Sequence, residues 1–414
     1  MQETPPRISQ GEQQNILLEP KPREFSIDDV VNVQKYLQEL QDSSVNDGAD
    51  YVLSKAGLYE KLTESTDDTE TEPSADEYSF DKSISTLLAA WGERNGLDAG
   101  APQSLAETQR LFTQNPKLNE TSPIHFQGGA EYASGRFVHI VTGRAMGKHR
   151  EPASRRYYLN PTADKMGHVV EQLTGAALRS EVPLYFKFVN VATGTPSQRT
   201  MERTDRIVIY TSEAQTDFVE GVLSHVITEI PEAFSGRTVS GFGEILADGM
   251  ARADDVTREQ NEKFKGHSEG ISFNDLRSEL IYEATLDVAK DLVIFPEFTL
   301  VKVGDQTIRQ KFASELSKAI AKYKADTVVG ENDPELLQAL ELGLSSEQLK
   351  QSGRFSDKAV RAIEDAVART ARDVLPRIQP DSLLRGYGHH IKRIAPKYGI
   401  DPDNLARNIP IATP

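Results

Sequence analysis

A chain of 414 residues with 38% hydrophobic and 27% charged residues exceeds the usual size of one core and is too polar for a membrane protein, so two or more soluble units are expected. Its 63 acidic against 47 basic residues give a net charge of −16, which repels phosphate backbones and argues against general nucleic-acid binding. With no cysteine, disulfides, thiolate nucleophiles and thiolate metal sites are excluded together.

The N-terminus, MQETPPRISQGEQQ, lacks the basic-then-apolar pattern of a Sec signal. Residues 26–62 predict one or two helices: Ser26 can cap a turn holding Asp28 and Asp29, and Val30, Val33, Tyr36, Leu37 and Leu40 recur at helical spacing. The acidic stretch from Thr63 to Glu77 breaks all periodicity and has the composition of a solvated linker, taken to run over 63–79. Short helices are expected near Leu87–Trp91 and Leu105–Phe112.

From about residue 125 the pattern becomes strand, strand, helix, strand, strand, helix. GRFVHIVTG and RRYYLNP are candidate strands. The segment Ala163–Arg179 places Met166, Val169, Val170, Leu173 and Ala177 on one helical stripe. Two more strands follow around Lys187 and Arg206, then a helix carrying Phe218, Val222, Val226 and Ile227. Residues 231–273 are rich in Gly, Asp and Ser and read as a long loop system. Helices are expected over 275–293, 308–324, 334–343, 357–375 and 381–397. No apolar run approaches the roughly 18 residues that cross a bilayer, so no membrane partner is expected.

This order gives an α+β fold: a central, mostly antiparallel sheet with helices on one face, a helical N-terminal extension and a helical C-terminal region. The expected division is a partly disordered extension over 1–120, a core over 121–300 and a helical region over 301–414.

At period two, Arg156, Tyr158 and Asn160 share one side of their strand, Tyr185 and Lys187 one side of the next, and Arg206 and Tyr210 one side of the third. If these strands are neighbours, a basic and aromatic face gathers opposite the helices, with Arg199 and Arg203 near its mouth. Guanidinium forks and tyrosine hydroxyls suit a phosphate or carboxylate. A wet sheet face with snorkelling lysines and arginines gives the same pattern. His139 reads as a core or surface residue ahead of a proton donor. His168 and Glu171 lack a third metal ligand at useful spacing, the Gly-x-Gly of SGFGEILADG lacks a dinucleotide loop's context, and His389–His390 reads as a helix surface. No cofactor or metal is called for.

The segments SRRYYLNPTADKMGHVVEQLTGAAL, the Lys187 strand, RTDRIVIYTSEAQTDFVEGVLSHV, EAFSGRTVSGFGEILADGM, SFNDLRSELIYEA and YGIDPDNLARN resemble, in order and spacing, the HopA family of type III secreted effectors. The resemblance runs from about Gly128 to the C-terminus. It implies an α+β domain. Related domains stand beside kinase-like proteins in pathways that dehydrate serine and threonine of ribosomal peptides such as lanthipeptides, and these relatives imply a phosphoserine or phosphothreonine lyase. In that chemistry a lysine takes the α-proton, an acid such as histidine protonates the leaving phosphate, and arginines hold its charge. Lys187 is then the expected base and His139 the acid, with Arg156, Tyr158, Asn160, Tyr185, Arg203, Arg206 and Tyr210 on the phosphate. The implied partner is a phosphorylated peptide or protein in the bacterial cytoplasm. The alternative is a non-catalytic effector, secreted into a host cell, that binds a host signalling protein.

Overall fold

A computed structural model describes residues 20–47, 51–63, 123–126, 137–141, 153–180, 182–189, 203–239, 241–264, 271–294, 302–323, 334–341 and 346–411, with a few further positions between 82 and 114. The acidic stretch after residue 63, most of the two short helices expected near 87–91 and 105–112, and Arg199 lie outside the described residues. The chain is an α+β protein forming two compact units, one of residues 1–21 and 65–255, the other of residues 22–64 and 256–414.

The first unit is built on a sheet with seven strands among the described residues: β1 (Ile124–Phe126), β2 (Phe137–Val141), β3 (Arg155–Leu159), β4 (Tyr185–Val189), β5 (Ile207–Thr211), β6 (Glu244–Ala247) and β7 (Met250–Asp254). Their order is β1-β2-β4-β5-β3-β7-β6, and every neighbouring pair is antiparallel. The central strands, FVHIV, YFKFV and IVIYT, are dense in β-branched and aromatic residues that suit a pleated, half-buried surface. One face presents Val138, Ile140, Phe186, Phe188, Ile207, Ile209 and Leu159. It packs against Val169, Val170 and Leu173 of the helix Met166–Ser180 and Val219, Leu223 and Val226 of the helix Thr216–Glu229. Fully burying each large apolar side chain contributes about 1.5–3 kcal/mol, so this layer anchors the unit.

A polar brace crosses the same layer. The Tyr157 hydroxyl and Nη1 of Arg252 both donate to Oε1 of Glu220 at 2.8 Å, and Nε of Arg252 donates to Glu244 at 2.9 Å. Burial, reinforced by the Glu220 carboxylate, raises the pKa of Tyr157.

The stretch 231–273, expected to be loop, instead supplies β6, β7 and the short helix Arg258–Lys263. Ala247 pairs with Met250 across a two-residue turn, Asp248–Gly249, with Gly249 at φ +62°. Asp-Gly is a strong tight-hairpin signal. The charged residues that blur the alternation, Glu244 and Arg252, face each other across the hairpin and pair.

The second unit is mostly helical. The helices Phe273–Ile294, Ile308–Tyr323, Pro334–Glu341, Asp357–Val374 and Pro380–Ile394 occupy the five segments expected from periodicity. The helices Ile27–Asp47 and Lys55–Leu62 belong here. Gln34 Nε2 donates to the carbonyls of Leu375 and Ile378 at 2.7 Å, Gln41 Nε2 donates to Arg372 O at 2.6 Å, and Phe25 lies against the Tyr387 ring at 5.0 Å. The units therefore do not follow the 1–120, 121–300, 301–414 division. The stripe of Val30, Val33 and Leu37 had to be buried somewhere, and the sequence does not name the surface that buries it.

Two distant motifs meet in this unit. Arg277 of SFNDLRSELIYEA is fully buried, donates to Leu405 O at 3.0 Å and Asn408 Oδ1 at 2.8 Å, and lies 4.0 Å from the Phe273 ring centre. Its acceptors belong to the C-terminal hairpin formed by YGIDPDNLARN. His390, expected at a helix surface, is buried with Nε2 2.7 Å from Asp291. The 100° advance per helical residue turns it inward while His389 stays exposed. No helix among the described residues is long and apolar enough to cross a membrane.

Candidate functional site

The sheet face opposite the two helices collects the basic and aromatic residues, because β4, β5 and β3 are consecutive in the sheet. One row of cross-strand partners runs His125, His139, Lys187, Val208, Tyr158 and Ala251; the next runs Val141, Tyr185, Tyr210, Arg156 and Ala253. Arg206 precedes β5 with the same parity as Val208 and Tyr210, and its carbonyl accepts from the Val189 amide at 2.9 Å. Arg156, Lys187 and Arg206 thus share one face. The Cα atoms of Arg156 and Lys187, two strands and two residues apart, are separated by roughly 12 Å, within reach of two long side chains meeting on one ligand.

His139 and Lys187 are direct cross-strand partners, with Cα atoms about 5 Å apart as antiparallel pairing requires. Nδ1 of His139 lies 2.8 Å from the Tyr185 hydroxyl. Tyr185 stacks on Tyr210, centroids 4.5 Å apart at 17°, and the Arg156 guanidinium sits 4.8 Å from the Tyr210 ring centre. Lys187 Nζ lies 4.1 Å from the ring centre of Phe137. The result is a continuous half-buried strip of His139, Lys187, Tyr185, Tyr210 and Arg156.

Around this strip the other expected residues act as braces. Arg156 forms a 2.5 Å ion pair with Asp255. Burial opposes its charge, but Asp255, aided by Tyr210 and Tyr158, outweighs this and raises its pKa. Arg203 is buried and donates from Nε and Nη2 to the two oxygens of Asp205 at 2.7 and 2.8 Å. Arg206 is buried, and Nη1 donates to Pro161 O at 2.8 Å. Asn160 is fully buried, donates to Thr238 O at 3.1 Å and accepts from Arg237 at 3.1 Å. Tyr158 is buried, and that burial pushes its hydroxyl pKa well up.

Sequence reasoning missed Asp255, Asp205 and Phe137. Asp205 had a signal, two residues beyond Arg203 in a loop of alternating charge. Asp255 lay in the stretch read as loop, and Phe137 is an apolar strand residue of ordinary type. Among the described residues no group of three or more His, Asp and Glu could hold a metal ion. His168 and Glu171 lie on the helix Met166–Ser180, where Glu171 pairs with Lys82.

The class defined here is an α+β protein whose antiparallel sheet carries helices on one face and a basic, aromatic strip on the other. Residues 132–295 match the HopA1 effector protein family, so this part of the chain is effector-like. No curated protein matches. Among solved structures, the chain is similar to an effector protein from Pseudomonas syringae pv. tomato strain DC3000, with 14% identity, 61% of this chain and 88% of that chain covered, and a TM-score of 0.34. An effector protein from Pseudomonas syringae pv. syringae strain 61 matches with 16% identity, 63% and 88% coverage and a TM-score of 0.35.

Proposed function

We propose that the protein is an effector-like phosphoserine or phosphothreonine lyase acting on a phosphorylated protein or peptide at the half-buried strip of this sheet face. The observation that carries this reading is the direct cross-strand pairing of Lys187 with His139, which sets a candidate base and acid side by side. In its neutral form Lys187 Nζ takes the α-proton. The Cα–H electron pair becomes the Cα=Cβ double bond, the Cβ–O bond breaks, and its electrons leave with the phosphate, which His139 protonates. The products are a dehydroamino acid and inorganic phosphate. Arg156 uses one Nη on Asp255, and a guanidinium has five N–H donors, so it can also face the leaving phosphate from the neighbouring row. Tyr185 and Tyr210 form the wall between them.

The second reading, a non-catalytic effector delivered into a host cell to bind a signalling protein, is favoured by one observation. Arg156, Arg203 and Arg206 each have an acceptor inside the protein, which is what braces of a docking surface need. Mass spectrometry after incubation with phosphoserine and phosphothreonine peptides separates the two. Elimination leaves a dehydroamino acid, hydrolysis restores the hydroxyl, and peptides left intact throughout favour the docking reading.

A further inference from the structure

Phe137 opens β2 with the same parity as His139, so both stand on the side of the sheet that carries the strip. Its cross-strand partner is Val189, which makes Lys187 its diagonal neighbour on β4, a spacing that long side chains and aromatic rings can close. The contact is made: Lys187 Nζ lies 4.1 Å from the Phe137 ring centre, and the Arg203 guanidinium lies 5.9 Å from it. The ring is 6% exposed, so its packing holds it in place, and Arg203 is itself held by both oxygens of Asp205. Lys187 therefore meets a fixed surface.

The face of an aromatic ring is the negative end of its quadrupole and attracts an ammonium far more than a neutral amine. A contact that favours one protonation state also biases the proton, and here it delays proton release to higher pH. The ring thus acts on Lys187 twice. It locates the nitrogen near His139, the direct cross-strand partner, and it weights the charged form.

We propose that Phe137 is the positioning residue of Lys187: its ring holds the ammonium in place near His139 and sets the pH at which Lys187 releases its proton. The use of this setting for a base rests on the lyase reading, whereas the hold on Lys187 does not. The other charged and titratable groups of this face are His139 on β2, Arg206 and the Arg203–Asp205 pair ahead of β5, Tyr158 on β3, and the Arg156–Asp255 pair. Exchanging the ring for one of the same shape leaves all of them in place, so a change seen on that exchange belongs to the ring.

Competitive labelling of the full chain with acetic anhydride across a pH series, read by mass spectrometry of the peptide that carries Lys187, gives the midpoint of proton release without any turnover. A fluorinated phenylalanine at Phe137 weakens the negative ring face at nearly constant shape and is expected to lower that midpoint by roughly 0.5 pH unit. Phe137→Leu removes the face altogether and is expected to lower it by about 0.5–1.5 pH units. With phosphopeptide, the rise of the elimination rate with pH should move down in the same order while KM is kept. A midpoint unchanged in the fluorinated protein, with its circular dichroism spectrum that of wild type, would overturn the proposal whether or not Phe137→Leu folds. Shifted midpoints in a protein that eliminates no phosphate would uphold the hold on Lys187 and sink the lyase reading instead.

Discussion

The hydroxyl of Tyr185 lies 2.8 Å from Nδ1 of His139, and the two rings are stacked at 20° with centroids 5.9 Å apart. This contact holds the imidazole over β2 through Nδ1, with Nε2 buried. Tyr185→Phe keeps the ring stack with Tyr210 and removes only the hydroxyl. It is expected to cost about 1 kcal/mol in urea unfolding and to lower the elimination rate more than phosphopeptide affinity. An unchanged unfolding midpoint would show that the contact carries no weight.

Lys187→Arg keeps a cation on the same strand but replaces an amine that can release a proton by a guanidinium that does not near neutrality. Elimination should be lost while phosphopeptide binding, measured by fluorescence anisotropy, is largely kept. A Lys187→Arg variant that still releases phosphate rules out the base assignment.

Arg156 and Asp255 form a mostly buried pair, their side chains 15% and 11% exposed. Asp255→Ala strands a buried guanidinium, and breaking such a pair from one side costs about 3–5 kcal/mol. Chemical denaturation should report a loss of that size, with Asp255→Asn milder because it keeps an acceptor. Equal, small losses in both variants would mean that solvent already screens Arg156.

Gly249 closes the β6–β7 hairpin at φ +62°, and a Cβ there would stand 3.1 Å from Arg237 Cβ and Phe234 Cδ1 and 3.2 Å from Asn160 O. Gly249→Ala should therefore cost about 1–2 kcal/mol for the left-handed backbone alone, with crowding in addition. A thermal melt matching wild type would contradict both the turn and the packing around Asn160.

Lys311 donates to Glu315 at 2.9 Å and pairs with Asp373 at 2.7 Å. Burial alone would raise both acids, but hydrogen bonds from Lys318 and Lys311 to Glu315, and from Arg372 and Lys311 to Asp373, hold both below their ordinary values. Acids depressed in the folded state contribute stability that is present above their unfolded pKa and lost as pH falls through the folded value. Lys311→Met should thus move the acid-unfolding midpoint of the helical unit to higher pH, followed by circular dichroism. A midpoint that stays or moves lower would assign the depression to Arg372 and Lys318 alone.

The sequence by itself determined which side of each strand every residue takes, because alternation is a property of the local backbone. Arg156 with Tyr158, Tyr185 with Lys187, and Arg206 with Tyr210 could be grouped without knowing any partner strand. The same locality made the C-terminal helices legible, since a 3.6-residue apolar stripe repeats within one segment. Strand order was decided only by the tertiary structure. Seating β2 beside β4 brought His139 to Lys187 across 48 residues of sequence, and the β3–β7 pairing brought Asp255 to Arg156. It also placed the stripe of Val30, Val33 and Leu37 with the C-terminal helices and turned His390 inward. Such pairings are chosen by the free energy of whole surfaces closing on one another, and one chain read locally records which surfaces are apolar but not which of them meet.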